Sequence, residues 1–296
     1  MLQSRSCFII LNKEKGRSSA SALNVLKAIL KIKKAGFCGT LDPLADGVIV
    51  VAIKKATKLL PFVTGSDKVY TGKMILGYTS ASYDEETELI PSGKDPQTDS
   101  IDIGSLIERF SGLIRQVPPV YSAIKVNGKR AYKIARKGGE LELKSREVTI
   151  NSIELEKTGE NELSFKVDCS KGTYIRSLVS DIGEFLGCGA VMTQLTRESV
   201  GIFSIENSVT LEEIKEDPEN VQKGIVNIDA VLSSLYTVDI DESSFNHLRN
   251  GLNPENVKLD LIDGYNYIRY ENAPAFILLK NEEGVSYHTF LREEDD

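Results

Sequence analysis

The sequence predicts an α+β fold: a large body of hairpin-like strands and long helices, then a small β-rich C-terminal part. Three observations carry this prediction. Residues from Ser19 onward and residues 176–186 place apolar side chains at helical spacing. Apolar runs such as CFIIL and VIVVAI, bounded by Gly, Pro and Asp, read as strands. Long helices mixed with hairpin-like strands favour α+β over a doubly wound sheet, and no G-x-G-x-x-G turn links a strand to a helix.

The elements follow in order. CFIIL (residues 7–11) forms an opening strand, closed by Asn12 and the turn NKEKG. Ser18 and Ser19 offer N-caps for a helix that carries Ala22, Val25, Leu26 and Ile29 on one face. That helix is expected to run into Lys31, Lys33 and Lys34 and to stop at Gly36. The turn GTLDPLADG then leads into VIVVAI (48–53); Asp and Pro in it are ordinary turn chemistry. VYTGKMILGY (69–78) is a further strand, and DEETE beyond it reads as a solvated turn, without the spacing or glycine of a calcium loop. A helix is expected at 101–110, strands at 148–155 and 163–169, and a helix at 176–186. That last helix has an apolar face of Leu178, Val179, Ile182, Phe185 and Leu186, and Gly187 ends it. Past about residue 235 come short β-like runs, YNYIRY and AFILLK, so the expected division is 1–234 and 235–296.

Composition narrows the chemistry. With 296 residues, 41% of them hydrophobic, the chain buries a substantial core. No apolar run is long enough to span a bilayer, so no membrane partner is expected, and CFIIL is short for a signal peptide. Cys7, Cys38, Cys169 and Cys188 are scattered without a CxxC pair, which points to a reducing cytoplasm. The two histidines, His247 and His288, come late, and no HExxH motif exists. Catalysis by this chain would therefore run on carboxylate, tyrosine, lysine or arginine rather than a His-based triad or zinc. No phosphate loop is present either, so no metal or organic cofactor is expected. The net charge of −7 is uneven: residues 236–296 hold 13 acidic against 5 basic residues, whereas residues 125–146 hold eight basic against two acidic. Such a basic stretch can track a phosphate backbone even on an acidic protein.

Five stretches in consistent order, spanning roughly residues 8–210, resemble the bacterial TruB-type tRNA pseudouridine synthases. KKAGFCGTLDPLADGVIVVAIKKATKL resembles the family's catalytic signature and implies Asp42 as nucleophile. SDKVYTGKMILGYTSASYD implies Tyr70 as the active-site tyrosine. In CSKGTYIRSLVSDIGEFLGCGAVMTQLTRESVGIF, Tyr174, Arg176 and Leu195 match active-site positions. QVPPVYSAIKVNGKRAYKIARKGGELELKSREV resembles the RNA-gripping thumb, about 116–146, with Lys129, Arg130, Lys133 and Arg136 as backbone contacts. IILNKEKGRSSA fits the opening motif, with Lys13 at the cleft and Glu14 where the family usually has Pro. Phe37 stands where the family usually has a histidine that helps hold the flipped-out T-loop, and is expected to stack on RNA.

The resemblance implies a pseudouridine-synthase core with a mixed, largely antiparallel sheet flanked by helices, and a possibly PUA-like C-terminal domain. It also implies a cofactor-free monomer with no obligate protein partner. The implied reaction isomerises a T-loop uridine (position 55 of tRNA), binding the T-arm stem-loop and flipping the base out. A reacting carboxylate must stay ionised; burial opposes this, and a neighbouring arginine such as Arg176 restores it. Two alternatives stand beside this: a tRNA-binding module without catalysis, motivated by Phe37, and a synthase acting on another RNA.

Overall fold

The computed structural model describes residues 6–122, 124–126, 128–135, 139, 141 and 143–292. Two continuous apolar runs make its first two long strands, β1 (Cys7–Lys13) and β2 (Asp46–Ile53), paired antiparallel. Successive side chains of a strand point to opposite faces, so an unbroken apolar run needs cover on both. Cys7, Ile9, Leu11, Ile49, Val51 and Ile53 face one apolar cluster, while Phe8, Ile10, Val48, Val50 and Ala52 face another. Helix α1 (Ser19–Leu30) covers the first with Ala22 and Leu26. It ends earlier than the sequence suggests: Lys31, not Gly36, takes the left-handed conformation (φ 53°) that turns the chain. Ala35–Cys38 then pairs with β2.

The rest of the main sheet comes from β3 (Lys68–Leu76), β4 (Gly112–Gln116), β5 (Arg146–Lys157), β6 (Glu162–Cys169) and β7 (Ala190–Val200). Among the described residues eleven strands share it, in the order Val209–Thr210, β1, β2, β7, β3, β6, β5, β4, with three short strands off this path. The β2–β7 seam and the Val209–Thr210 contact are parallel; the other pairings along the path are antiparallel. Helices α2 (Ile103–Phe110) and α3 (Ile175–Phe185) cover the second half, packing Leu106, Phe110, Leu178, Val179 and Ile182 on Met74, Leu163 and Val167. Between β4 and β5 a two-stranded ribbon, Lys125–Val126 with Lys129–Arg130, leads into a short helix, Ala131–Ala135.

A second sheet contains β8 (Tyr236–Ile240), β9 (Gly264–Tyr270), β10 (Ala273–Asn281) and β11 (Gly284–Phe290), in that order. Strand β8 runs parallel to β9, which requires a crossover. Helix α4 (Glu242–Arg249) lies in that crossover, capped by Asp241 accepting from Ser244 N at 2.8 Å. The β-like pattern of this region did not indicate a helix. Tyr267, Ile277 and Leu291 of this sheet region enter the same cluster as Phe8 and Val50. No helix among the described residues is long and apolar enough to cross a membrane.

Candidate active site

The GTLDPLADG turn sits at the β2–β7 seam. Asp42 and Ala45 close it (Ala45 N to Asp42 O, 3.1 Å), with Pro43 between them. Gly47 (φ 102°) is obligatory there, because a Cβ would lie 2.3 Å from the Arg197 carbonyl oxygen. The Asp42 side chain is 36% exposed, and its Oδ2 lies 2.9 Å from Nη2 of Arg176, which is 4% exposed. Arg176 Nε lies 3.4 Å from Oδ2 of Asp84. The same guanidinium donates to the carbonyls of Ser82 (2.9 Å) and Tyr121 (3.0 Å).

Asp84 corrects the sequence reading. As the first residue of DEETE it was expected in a solvated turn, yet it is buried; its Oδ1 accepts from Ser82 Oγ (2.5 Å) and Glu86 N (3.0 Å). Arg176 lies in the first turn of α3, where the helix dipole disfavours a cation. Two flanking carboxylates and two carbonyls compensate a charge that burial would otherwise make costly.

A cleft of about 500 Å³ opens beside this pair, lined among others by Asp42, Tyr70, Tyr174, Arg176, Leu195 and Arg197. That is within the range of a small-ligand site, roughly 300–1,000 Å³. Tyr70 is buried, which pushes its phenol ionisation up; the Arg197 guanidinium pulls the other way. Arg197 is itself buried, donating from Nε to Val48 O (2.7 Å) and from Nη2 to Gly39 O (2.9 Å). The Gln116 side-chain amide grips both backbone groups of Tyr174, at 2.7 and 3.0 Å. Arg146 lies over the Tyr174 ring, 4.7 Å from its centroid. A larger hollow, about 660 Å³, lies over β3, β5 and β6, but its Lys73 and Lys166 are engaged by Glu162 and Glu198.

Thus Asp42, Tyr70, Tyr174, Arg176 and Leu195 meet in one cleft. Lys13 instead lies wholly buried under the turn, its Nζ donating to the Ala45 and Glu14 carbonyls. Burial pushes its ammonium pKa down to about 8, against the pull of Asp46 and Asp42. Phe37 is half-buried against the cluster of α1, β1 and β2, on the strand that leads to the cleft rather than in its wall. Lys129 and Arg130 form one strand of the ribbon and Lys133 is exposed on the short helix; Arg136 lies outside the described residues. Asp84, Arg197 and Gln116 were not among the expected site residues. The sequence around Arg197, Gln194-Leu195-Thr196-Arg197-Glu198-Ser199, is mostly polar and gave no signal that its arginine is buried. Among the described residues no group of three or more His, Cys, Asp and Glu is arranged to hold a metal ion.

The chain superposes over 98% of its length on a chain in the crystal structure of a Cbf5–Nop10–Gar1 complex, covering 86% of that chain with a TM-score of 0.72 and 25% identity. Residues 27–175 match the TruB family pseudouridylate synthase N-terminal domain, and residues 176–253 match the tRNA pseudouridylate synthase B C-terminal domain. A tRNA pseudouridine synthase B of Clostridium tetani is 40% identical, over 92% of this chain and 94% of the relative. Another, from Clostridium acetobutylicum, is 41% identical over 93% and 96%. The fold and the relatives define a pseudouridine synthase, an RNA-modifying isomerase. More narrowly, the chain belongs to the TruB family.

Proposed function

We propose that this protein converts a T-loop uridine of tRNA to pseudouridine, with Asp42 as the reacting carboxylate. The observation that carries this reading is the Arg176–Asp42 pair at 2.9 Å, facing a cleft with room for a flipped-out nucleotide. The relatives named tRNA pseudouridine synthase B support the choice of substrate.

The reaction is an isomerisation: the bond from the sugar C1′ to N1 breaks, a bond from C1′ to C5 forms, and the C5 proton is exchanged for one on N1. The uracil must first leave its stack, which costs a few kcal/mol. Cations at the cleft mouth, Arg146 and Lys171, and the basic insertion supply phosphate contacts that offset this cost. Tyr174, Leu195 and Tyr70 form an apolar slot for the base. Arg176 fixes one Asp42 oxygen, so the carboxylate is held in orientation before the substrate arrives. A neutral Tyr70 phenol, the form burial favours, can stack and donate; Arg197 beside it is the group that eases any proton acceptance by it.

The test is an unmodified tRNA transcript incubated with purified protein, with pseudouridine mapped by site-specific chemical labelling. Modification of one T-loop uridine by the wild type, and none by Asp42→Asn, is the expected result. Tight tRNA binding by both proteins without modification would leave a binding module instead.

A further inference from the structure

We propose that Ser19 is a positioning residue for the Asp42 carboxylate, acting through the backbone of Leu41; this rests on Asp42 being the reacting group. The sequence offers Ser18 and Ser19 as equivalent helix caps. In the structure they divide the work. Ser18 caps α1, its Oγ accepting from Ser21 N at 3.2 Å. Ser19 turns the other way. Its hydroxyl accepts from Leu41 N at 2.8 Å and donates to Leu41 O at 3.0 Å. One side chain thus satisfies both backbone groups of the residue that precedes Asp42, as a neighbouring strand would.

Two more tethers rise from the end of β1 and the connection that follows it. Gly16 N donates to Pro43 O at 2.7 Å, and Lys13 Nζ donates to Ala45 O. Residues 41, 43 and 45 are therefore each held from one side. Asp42 lies between the first two, with its side chain engaged by Arg176. Ser19 is 1% exposed and Leu41 3%, so water has poor access to replace the hydroxyl. Ser19 is not in the wall of the cleft. Its effect is on where the carboxylate sits, and a misplacement of about 1 Å in such a group costs on the order of 100-fold in rate.

The experiment compares Ser19→Ala and the nearly isosteric Ser19→Cys with wild type. The readouts are kcat and KM on tRNA transcript, tRNA affinity, thermal midpoint and hydrogen exchange at the Leu41 amide. For Ser19→Ala we expect kcat to fall about 10- to 100-fold while KM and tRNA affinity stay within about twofold. Leu41 exchange should accelerate while β1 and β2 amides stay protected. Ser19→Cys, a weaker hydrogen-bonding group, should fall between. Wild-type kcat in a folded Ser19→Ala protein with a freely exchanging Leu41 overturns the proposal. So does a rate loss that follows only the unfolded fraction across both variants. Failure of the underlying reading shows separately, as undiminished isomerisation by Asp42→Asn or none by wild type.

Discussion

Arg176 is buried between two carboxylates, Asp42 and Asp84, and in the proposed reaction the first of them changes its bonding. Asp84 stays beside the guanidinium, so loss of charge at Asp42 never leaves a bare buried cation. The neighbouring turn of α3 carries a different carboxylate, Asp181. Burial, with Glu184 adding in the same direction, raises its pKa to about 6. A carboxyl raised in the folded state binds its proton more tightly there than in the unfolded chain. The stability that this one group contributes is therefore fully present below the ordinary carboxylate pKa and is lost as pH rises through about 6. Asp181→Asn should be more stable than wild type at pH 7.5, by about 1–3 kcal/mol, with no comparable gain at pH 4. Urea unfolding at the two pH values measures this, and equal differences at both would refute it. At this scale Tyr70 and Arg176 were legible only through the resemblance of the stretches that carry them, because in isolation a strand tyrosine and an arginine at a helix start are ordinary. Asp84 was not, because a run of acidic side chains reads as solvated until the partner of one of them is known. Ser19 was hidden by being a plausible cap.

Among elements, strands with a clean apolar run or alternation, β1, β2 and β6, could be read to within a few residues. β7 could not: its register shifts between Met192 and Gln194 and between Arg197 and Ser199 scramble the two-residue period. Those irregularities lie beside the cleft, placing Leu195 in its wall and Arg197 against Tyr70. The insertion between β4 and β5 is basic for another reason. Ser122 and Ile124 at its base line the cleft, and Tyr121 O accepts from Arg176, so under the proposed function RNA held by the insertion lies next to Asp42. Replacing Lys129, Arg130 and Lys133 by glutamine should weaken tRNA binding. The slope of log affinity against log salt should fall by about 0.7–0.9 for each phosphate no longer neutralised, with kcat at saturating tRNA little changed. A slope equal to that of wild type would remove the insertion from the RNA interface.

At the scale of the molecule, the two sheets share one apolar cluster. Tyr267 and Ile277 enter it from the second sheet, and Tyr267 Oη donates to Asp229 at 2.6 Å. Phe62 packs edge-on against Tyr265 and His288, and Lys55 reaches the Arg292 carbonyl. Continuous apolar contact couples unfolding, so calorimetry should show a single cooperative transition that Phe62→Ala moves as a whole. Two resolved transitions would mean that the sheets melt independently. The outer edge of β1 is closed by Val209–Thr210 and by Ile225–Asn227, and the β2 seam by β7. Asp42 leaves the ribosome early, but the strands that hold its half of the sheet are among the later ones made. A nascent chain cannot complete the cleft until β7, which supplies Leu195 and Arg197, has been made, so the site closes late in synthesis although Asp42 comes early.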